Sequence, residues 1–270
     1  MKRVAVIADF HCGHPTGLTP EAWQFRLGSS KERDDLANYQ NEAWGRYLEI
    51  VDKVKPIDAL FIVGDCIDGR ETGRHLVSED RADQCEMAKA CILPWGVVDH
   101  TAPTKLSGRK PIEPDVVMVY GTGRHTGRSE KWERQIARDI HAEIASNQFV
   151  DVDGVMFKLR HKIGRSGIPY GKFTALAREA VWNELKAARG KAPKASVHLF
   201  AHCHYFAGCF EDQWLAVAVP ALQGASEYGM EEASGDVNWG VVWFDIEDGQ
   251  YDMDQKIVSM DSAKPEVIHL

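Results

Sequence analysis

Five short groups of Asp and His follow one another along this chain, and four of them come directly after a short apolar, mostly β-branched run. They are Asp9-Phe10-His11, Gly64-Asp65-Cys66-Ile67-Asp68, Gly121-Thr122-Gly123-Arg124-His125, His161, and His202-Cys203-His204. Short apolar runs bounded by turn signals read as strands covered on both faces. In open α/β sheets ligands collect outside the carboxyl ends of the strands. The pattern therefore predicts a sheet that gathers carboxylates and imidazoles around one point. Such donors suit manganese, iron, zinc or nickel, and so many of them imply two ions rather than one.

The segments between the groups support an α/β reading. Val4–Ala8, Ala59–Val63, Val116–Tyr120, Val155–Leu159 and Val197–Phe200 read as strands. From Lys31 to Val54 apolar residues recur at helical spacing, through Leu36, Tyr39, Ala43, Trp44, Tyr47, Leu48, Val51 and Val54, until Pro56 stops the run. Arg81–Trp95 carries Cys85, Ala88, Ile92 and Trp95 on one face. Ser129 could cap a helix bearing Trp132, Ile136, Ile140 and Ile144. Lys172–Arg189 places Phe173, Leu176, Ala177, Ala180, Val181, Leu185 and Ala188 on one side, and Gly190 ends it. After His204 the helical signal fades, and Trp214–Val219 and Gly240–Phe244 read as strands. The expectation is one α/β domain, with β-α alternation first and a more antiparallel closing half. Loops over 12–30 and 69–80 would overhang the strand ends.

Composition limits the function classes. Apolar residues make up 44% of the 270 positions, enough for a sizeable core. No apolar run approaches the roughly 18–20 residues that span a bilayer. The N-terminal apolar stretch is too short for a signal peptide. Six cysteines without a Cys-x-x-Cys pair read as reduced thiols of a cytoplasmic protein. Cys12, Cys66 and Cys203 stand beside proposed ligands, either as small packing residues or as a sulfur ligand or redox-sensitive site. The net charge of −8 argues against broad duplex binding. Lys158, Arg160, Lys162 and Arg165 flank His161, and Arg124, Arg128 and Lys131 flank His125. These are solvated surface or phosphate-binding groups.

The order Asp-x-His, Gly-Asp-x-x-Asp, Gly-Asn-His, His and Gly-His-x-His is the signature of the calcineurin-like metallophosphoesterases, and this chain resembles it from Asp9 to His204. Ala201 stands where the last motif has Gly, and Gly121-Thr122-Gly123-Arg124-His125 replaces Gly-Asn-His. That replacement resembles a Gly-Thr-x-x-His variant of phage and prophage members, as does the Gln40- and Trp44-bearing helix after the first motif. The resemblance implies a four-layer α/β/β/α sandwich formed by residues 1–270 as a single domain, with insertions at about 12–54 and 69–115. It implies two divalent ions, manganese foremost, with iron, zinc, nickel or magnesium as alternatives. Asp9, His11 and His204 would hold the first ion, His161 and His202 the second, and Asp65 would bridge them. His125 would face the leaving group and Asp68 would orient it. Thr122 would stand in for the amide ligand.

The expected chemistry is hydrolysis of a phosphate ester by water activated between two ions. Arg124, Arg128 or Arg70 would neutralise nonbridging oxygens. Protein phosphatases of this superfamily carry an Arg directly after the second Asp of Gly-Asp-x-x-Asp, whereas this chain has Gly69 there and Arg70 one residue later. The balance leans to phosphodiesters, such as nucleotides or nucleic-acid ends. The alternatives are a phosphomonoesterase, a hydrolase of the amidohydrolase kind, and a non-catalytic metal-binding protein with a partner surface around Trp23, Trp44 and Trp95.

Overall fold

The computed structural model describes residues 1–69, 76–102, 113–127, 131–164, 168–225 and 237–260. Its strands, in chain order, are β1 (Lys2–Ile7), β2 (Ala59–Ile62), β3 (Asp115–Val119), β4 (Glu143–Ala145), β5 (Gln148–Val152), β6 (Val155–Lys162), β7 (Val197–Ala201), β8 (Ala207–Glu211), β9 (Trp214–Ala218), β10 (Trp239–Glu247) and β11 (Gln250–Val258). The helices are α1 (Lys31–Val54), α2 (Arg81–Ile92), α3 (Gly123–Thr126), α4 (Glu133–Asp139) and α5 (Lys172–Ala188). One sheet runs β11-β10-β1-β2-β3-β4, and the other runs β5-β6-β7-β9-β8.

Strand alternation sorts the apolar residues into three cores. Ala5, Ile7, Leu60, Ile62 and Met118 of the first sheet meet Tyr47, Val51, Ala88, Ile92 and Ile136 of α1, α2 and α4. Val4, Val6, Phe61 and Val119 face inward and pack against Phe157, Leu159, Val197, Leu199 and Val217 of the second sheet. The outer face of that sheet, with Phe200, Ala216 and Ala218, packs beneath Ala175, Leu176 and Ala180 of α5. The layers are therefore helix, sheet, sheet, helix, as expected. The β1-β2-β3-β4 and β6-β7-β9 pairings are parallel, while β10-β11, β5-β6 and β8-β9 are antiparallel hairpins.

Local signals account for the helix limits. Ser30 accepts a hydrogen bond from the Arg33 amide at the start of α1, and Asp80 accepts one from the Ala82 amide at the start of α2. Two expectations need correction. The recurrence of Ile136, Ile140 and Ile144 does not continue as helix: α4 stops at Asp139, and Ile144 belongs to β4. Apolar residues every four positions serve a short helix followed by a strand equally well, because both point into the same core. The expected cap Ser129 lies outside the described residues. On α5 the expected apolar face divides: Leu176 and Ala180 are buried, whereas Phe173, Val181 and Leu185 point to solvent.

Tyr47 ties α1 to α2. Its hydroxyl donates to the Cys91 carbonyl and accepts from the Trp95 indole N–H at 2.7 Å, all in the dry core. Tyr47→Phe leaves a buried indole donor unsatisfied, which costs about 1–3 kcal/mol. Calorimetry should record a melting temperature lowered by several degrees; an unchanged value would contradict this account of the pairing.

Candidate metal centre

Beyond the ends of β1 and β2 the two chains continue side by side without regular strand geometry. The Asp9 amide donates to Gly64 O, His11 to Asp65 O, Cys12 to Cys66 O, and Asp68 back to Cys12 O, all near 3.0 Å. This ladder carries Asp9, His11, Asp65 and Asp68 to one place. From the second sheet, His202 follows β7 and donates its amide to Asp9 Oδ2 at 3.0 Å. His161 arrives on β6 and His204 two residues past His202.

The backbone there is unusual. Asp9, His11, Asp65, His202 and His204 all have positive φ, between 44° and 75°. Non-glycine residues rarely adopt that region, and each instance costs on the order of 1–3 kcal/mol. Five of them in one cluster turn five side chains inward. Two glycines make the close approach feasible. A Cβ on Gly64 (φ +80°) would lie 2.8 Å from the Gly121 backbone and from His161 Nδ1, and one on Gly121 would collide with Asp65 Oδ1.

Among the described residues three ligand trios result; one, His11, Asp68 and His125, shares His11 with the first of the two that hold the expected ligands. One ligating atom each from Asp9, His11 and His204 lies within 4.8 Å of the others, and the same holds for Asp65, His161 and His202. Asp9 Oδ1 connects the trios, 3.6 Å from His204 Nε2 and 4.0 Å from His161 Nδ1. Second-sphere bonds set the imidazole tautomers. The Val63 carbonyl can only accept, so His161 Nδ1 donates to it at 2.6 Å and leaves Nε2 to face Asp65. His11 Nδ1 meets Asp68 Oδ1 at 3.2 Å, leaving its Nε2 directed at Asp9. Asp9 Oδ1, His11 Nε2 and His161 Nε2 are buried without a well-aligned hydrogen bond, His161 Nε2 lying 2.9 Å from Asp65 Oδ2. Buried polar atoms of this kind normally have partners. A divalent cation in each of those two trios would supply them, so the residues present fit the implied metals.

Charge balance is tight. Burial disfavours the Asp9 and Asp65 carboxylates, but the His204 charge for Asp9 and the His161 charge for Asp65 outweigh it and hold both below the usual carboxylate range. Burial also disfavours the His11 and His161 cations, yet Asp68 and Asp9 raise His11 to about 10, and Asp65 raises His161 to about 9. His202 is pushed down to about 4 by burial and by the His161 charge. His125 is lowered by burial and by His11.

The remaining expected residues divide. His125 stands edge-on to His11, with ring centroids 4.5 Å apart. Its Nδ1 donates at 2.6 Å to the main-chain carbonyl of Asp68, while the Asp68 carboxylate lies farther off at 3.6 Å and is engaged with His11. Asp68 thus holds His125 through its backbone and the His11 imidazole through its side chain. Thr122 hydrogen-bonds Asp65, by its amide at 2.6 Å and its hydroxyl at 3.3 Å. Arg124 is exposed on α3 beside His125, and Arg70 and Arg128 lie outside the described residues. Strand alternation turns Lys158 and Arg160 away from His161 to pair with Glu179 of α5. Cys12, Cys66 and Cys203 are buried, and among the described residues no ligand group contains a cysteine.

Glu133 escaped the sequence reading. It is fully buried, and its two oxygens accept from Cys66 N at 2.9 Å and Gly121 N at 2.7 Å. An acidic residue in the first turn of a helix is ordinarily read as complementing the helix dipole. Only the tertiary contact sets this one apart.

No protein-family model and no curated protein matches the sequence. Solved structures do show a likeness. Vps29 from Entamoeba histolytica complexed with zinc aligns at TM-score 0.45 and 12% identity over 96% of this chain and 99% of that one. A protein described as a novel archaeal phosphodiesterase aligns at 0.44 and 11%, over 95% and 99%. A predicted phosphoesterase from Streptococcus pneumoniae aligns at 0.40 and 11%, over 95% and 89%. At such values these likenesses assign this chain neither a ligand nor an activity.

The raised imidazoles set the pH dependence of metal binding. Below about pH 9 a cation must displace protons from His161 and His11, so affinity rises with pH. In the metal-free protein the same protonated imidazoles stabilise the fold fully below about 6.5, and that contribution fades as pH climbs through 9 to 10. Calorimetric titration with Mn²⁺ from pH 6 to 9 should show tightening affinity and proton release. A flat profile would contradict the ligand assignment.

Proposed function

We propose that this protein is a two-metal hydrolase of phosphate esters, leaning to phosphodiesters. The observation that carries the reading is the pair of trios, Asp9-His11-His204 and Asp65-His161-His202, in which Asp9 Oδ1, His11 Nε2 and His161 Nε2 are buried without a well-aligned hydrogen bond. Two divalent cations held side by side would clamp a phosphoryl group and favour hydroxide over water at neutral pH. An oxygen and nitrogen donor set of this kind accepts several divalent metals, and manganese is put first on the resemblance to the metallophosphoesterases.

The protein groups divide the remaining work. Asp65 lies against His161 and receives the Thr122 amide, so its carboxylate is held in one orientation for the second ion. Asp9 accepts from the His202 amide through Oδ2 and keeps Oδ1 for the first. His125 has its Nδ1 proton committed to the Asp68 carbonyl, which leaves Nε2 for the substrate. Once protonated it would give that proton to the departing oxygen. Its lowered pKa makes the imidazolium a strong acid but a minor form at neutral pH. An anionic substrate beside it raises that population.

The diester lean rests on Gly69. Its φ is +83°, and a Cβ there would lie 2.6 Å from the His125 carbonyl. A side chain, and hence a phosphate-gripping arginine, does not fit directly after Asp68. A monoester dianion needs that extra cation more than a diester monoanion does.

Turnover of bis-p-nitrophenyl phosphate and p-nitrophenyl phosphate with added Mn²⁺ tests the proposal. Wild type should prefer the diester. His125→Ala should lose about 100- to 10,000-fold in kcat, and Asp65→Asn at least as much. Equal rates for all three proteins would discard the hydrolase reading, and a monoester preference would reverse the lean.

A further inference from the structure

The two loops that meet at Asp65 of the second trio come from different strands, and the regular strand pairing ends before it reaches them. The Asp65 loop leaves β2, and the Thr122 loop leaves β3. The regular β2-β3 register ends at Ile62 and Met118. Beyond it, one side chain spans the gap from behind. Glu133, on the first turn of α4, accepts the Cys66 amide with Oε1 and the Gly121 amide with Oε2. Cys66 directly follows Asp65, and Gly121 directly precedes Thr122. On the near side, Thr122 closes the arrangement by donating its amide to Asp65 Oδ1.

A wholly buried carboxylate is an expensive way to hold two loops. Burial and the Asp65 charge raise Glu133 to about 7. A carboxylate is nonetheless the one side chain with two acceptor oxygens and no donor, which is what two facing N–H groups require. We propose that Glu133 is the positioning residue of the second cation site, clamping the Asp65 and Thr122 loops at the spacing that sets the Asp65 carboxylate against His161 and His202. This rests on the two-metal reading above for its consequence, though the clamp itself does not.

The test is metal affinity measured site by site. His202→Ala isolates the Asp9-His11-His204 trio, and His204→Ala isolates the Asp65-His161-His202 trio. Glu133→Gln turns one acceptor into an NH₂ donor facing another N–H, and Glu133→Asp shortens the reach by one methylene while keeping the charge. In Mn²⁺ titration calorimetry, either change should weaken binding in the His204→Ala background by about tenfold or more. It should leave binding in the His202→Ala background unaltered. A residue with a merely structural role would weaken both alike, and that result, or no effect in either, would overturn the proposal. If the wild type binds no Mn²⁺, the two-metal reading fails, and the clamp is judged by amide exchange. The Cys66 and Gly121 amides should then exchange at least about tenfold faster in Glu133→Asp while the β1 and β7 amides keep their protection. Unchanged protection at Cys66 and Gly121 would overturn it.

Discussion

Two carboxylates, Asp9 and Asp65, sit in the interior of this protein and stay ionised only because imidazoles surround them. Burial alone would protonate both. His204, His11 and His161 reverse that. The converse holds too, since His11 and His161 are cations in a buried place only because Asp68, Asp9 and Asp65 face them. The cluster is thus a set of mutually dependent charges drawn from both sheets. Removing one member leaves others buried without a counter-charge, the costly case for interior ion pairs. Under the proposed reading, divalent cations would replace the protons in this arrangement and satisfy the buried atoms that lack an aligned hydrogen bond.

The scaffold exists to bring those charges together. β1, β2 and β3 of one sheet and β6 and β7 of the other carry or lead into the residues of the cluster, and the inner core of Val6, Phe61, Phe157 and Leu199 packs the sheets face to face. At the strand ends the backbone leaves regular geometry. Five left-handed residues aim the donors inward, and Gly64 and Gly121 let the loops touch. Strain concentrated where ligands converge, on a well-packed base, is the usual signature of a functional centre. Here it coincides with shifted pKa values in the same side chains, a second and independent signature.

Much of this was legible in the sequence, for identifiable reasons. The strand runs before Asp9, Asp65 and His202 are buried on both faces, so they read as continuous apolar stretches. α1 was legible because its apolar residues keep helical spacing until Pro56 stops the run, and the Ser30 cap emerged only from the structure. What escaped was decided by tertiary contact. β11 alternates charged residues outward on an edge and gives little apolar signal. Ile144 continues a helical rhythm but belongs to a strand. Phe173, Val181 and Leu185 look like core on α5, yet the helix turns Leu176 and Ala180 inward instead. Asp68 was legible as a site residue, but not that its carboxylate would face His11 while its carbonyl takes His125. Glu133 carries no motif, because its role consists of two main-chain donors brought to it by the fold.

The central claim is that Asp9, His11, Asp65, His161, His202 and His204 hold two cations side by side. Anomalous diffraction from crystals grown with Mn²⁺ tests it most directly. The account predicts two peaks, one within reach of Asp9, His11 and His204 and the other of Asp65, His161 and His202. A map with no peak in this cluster, in crystals shown to contain the metal, would contradict it.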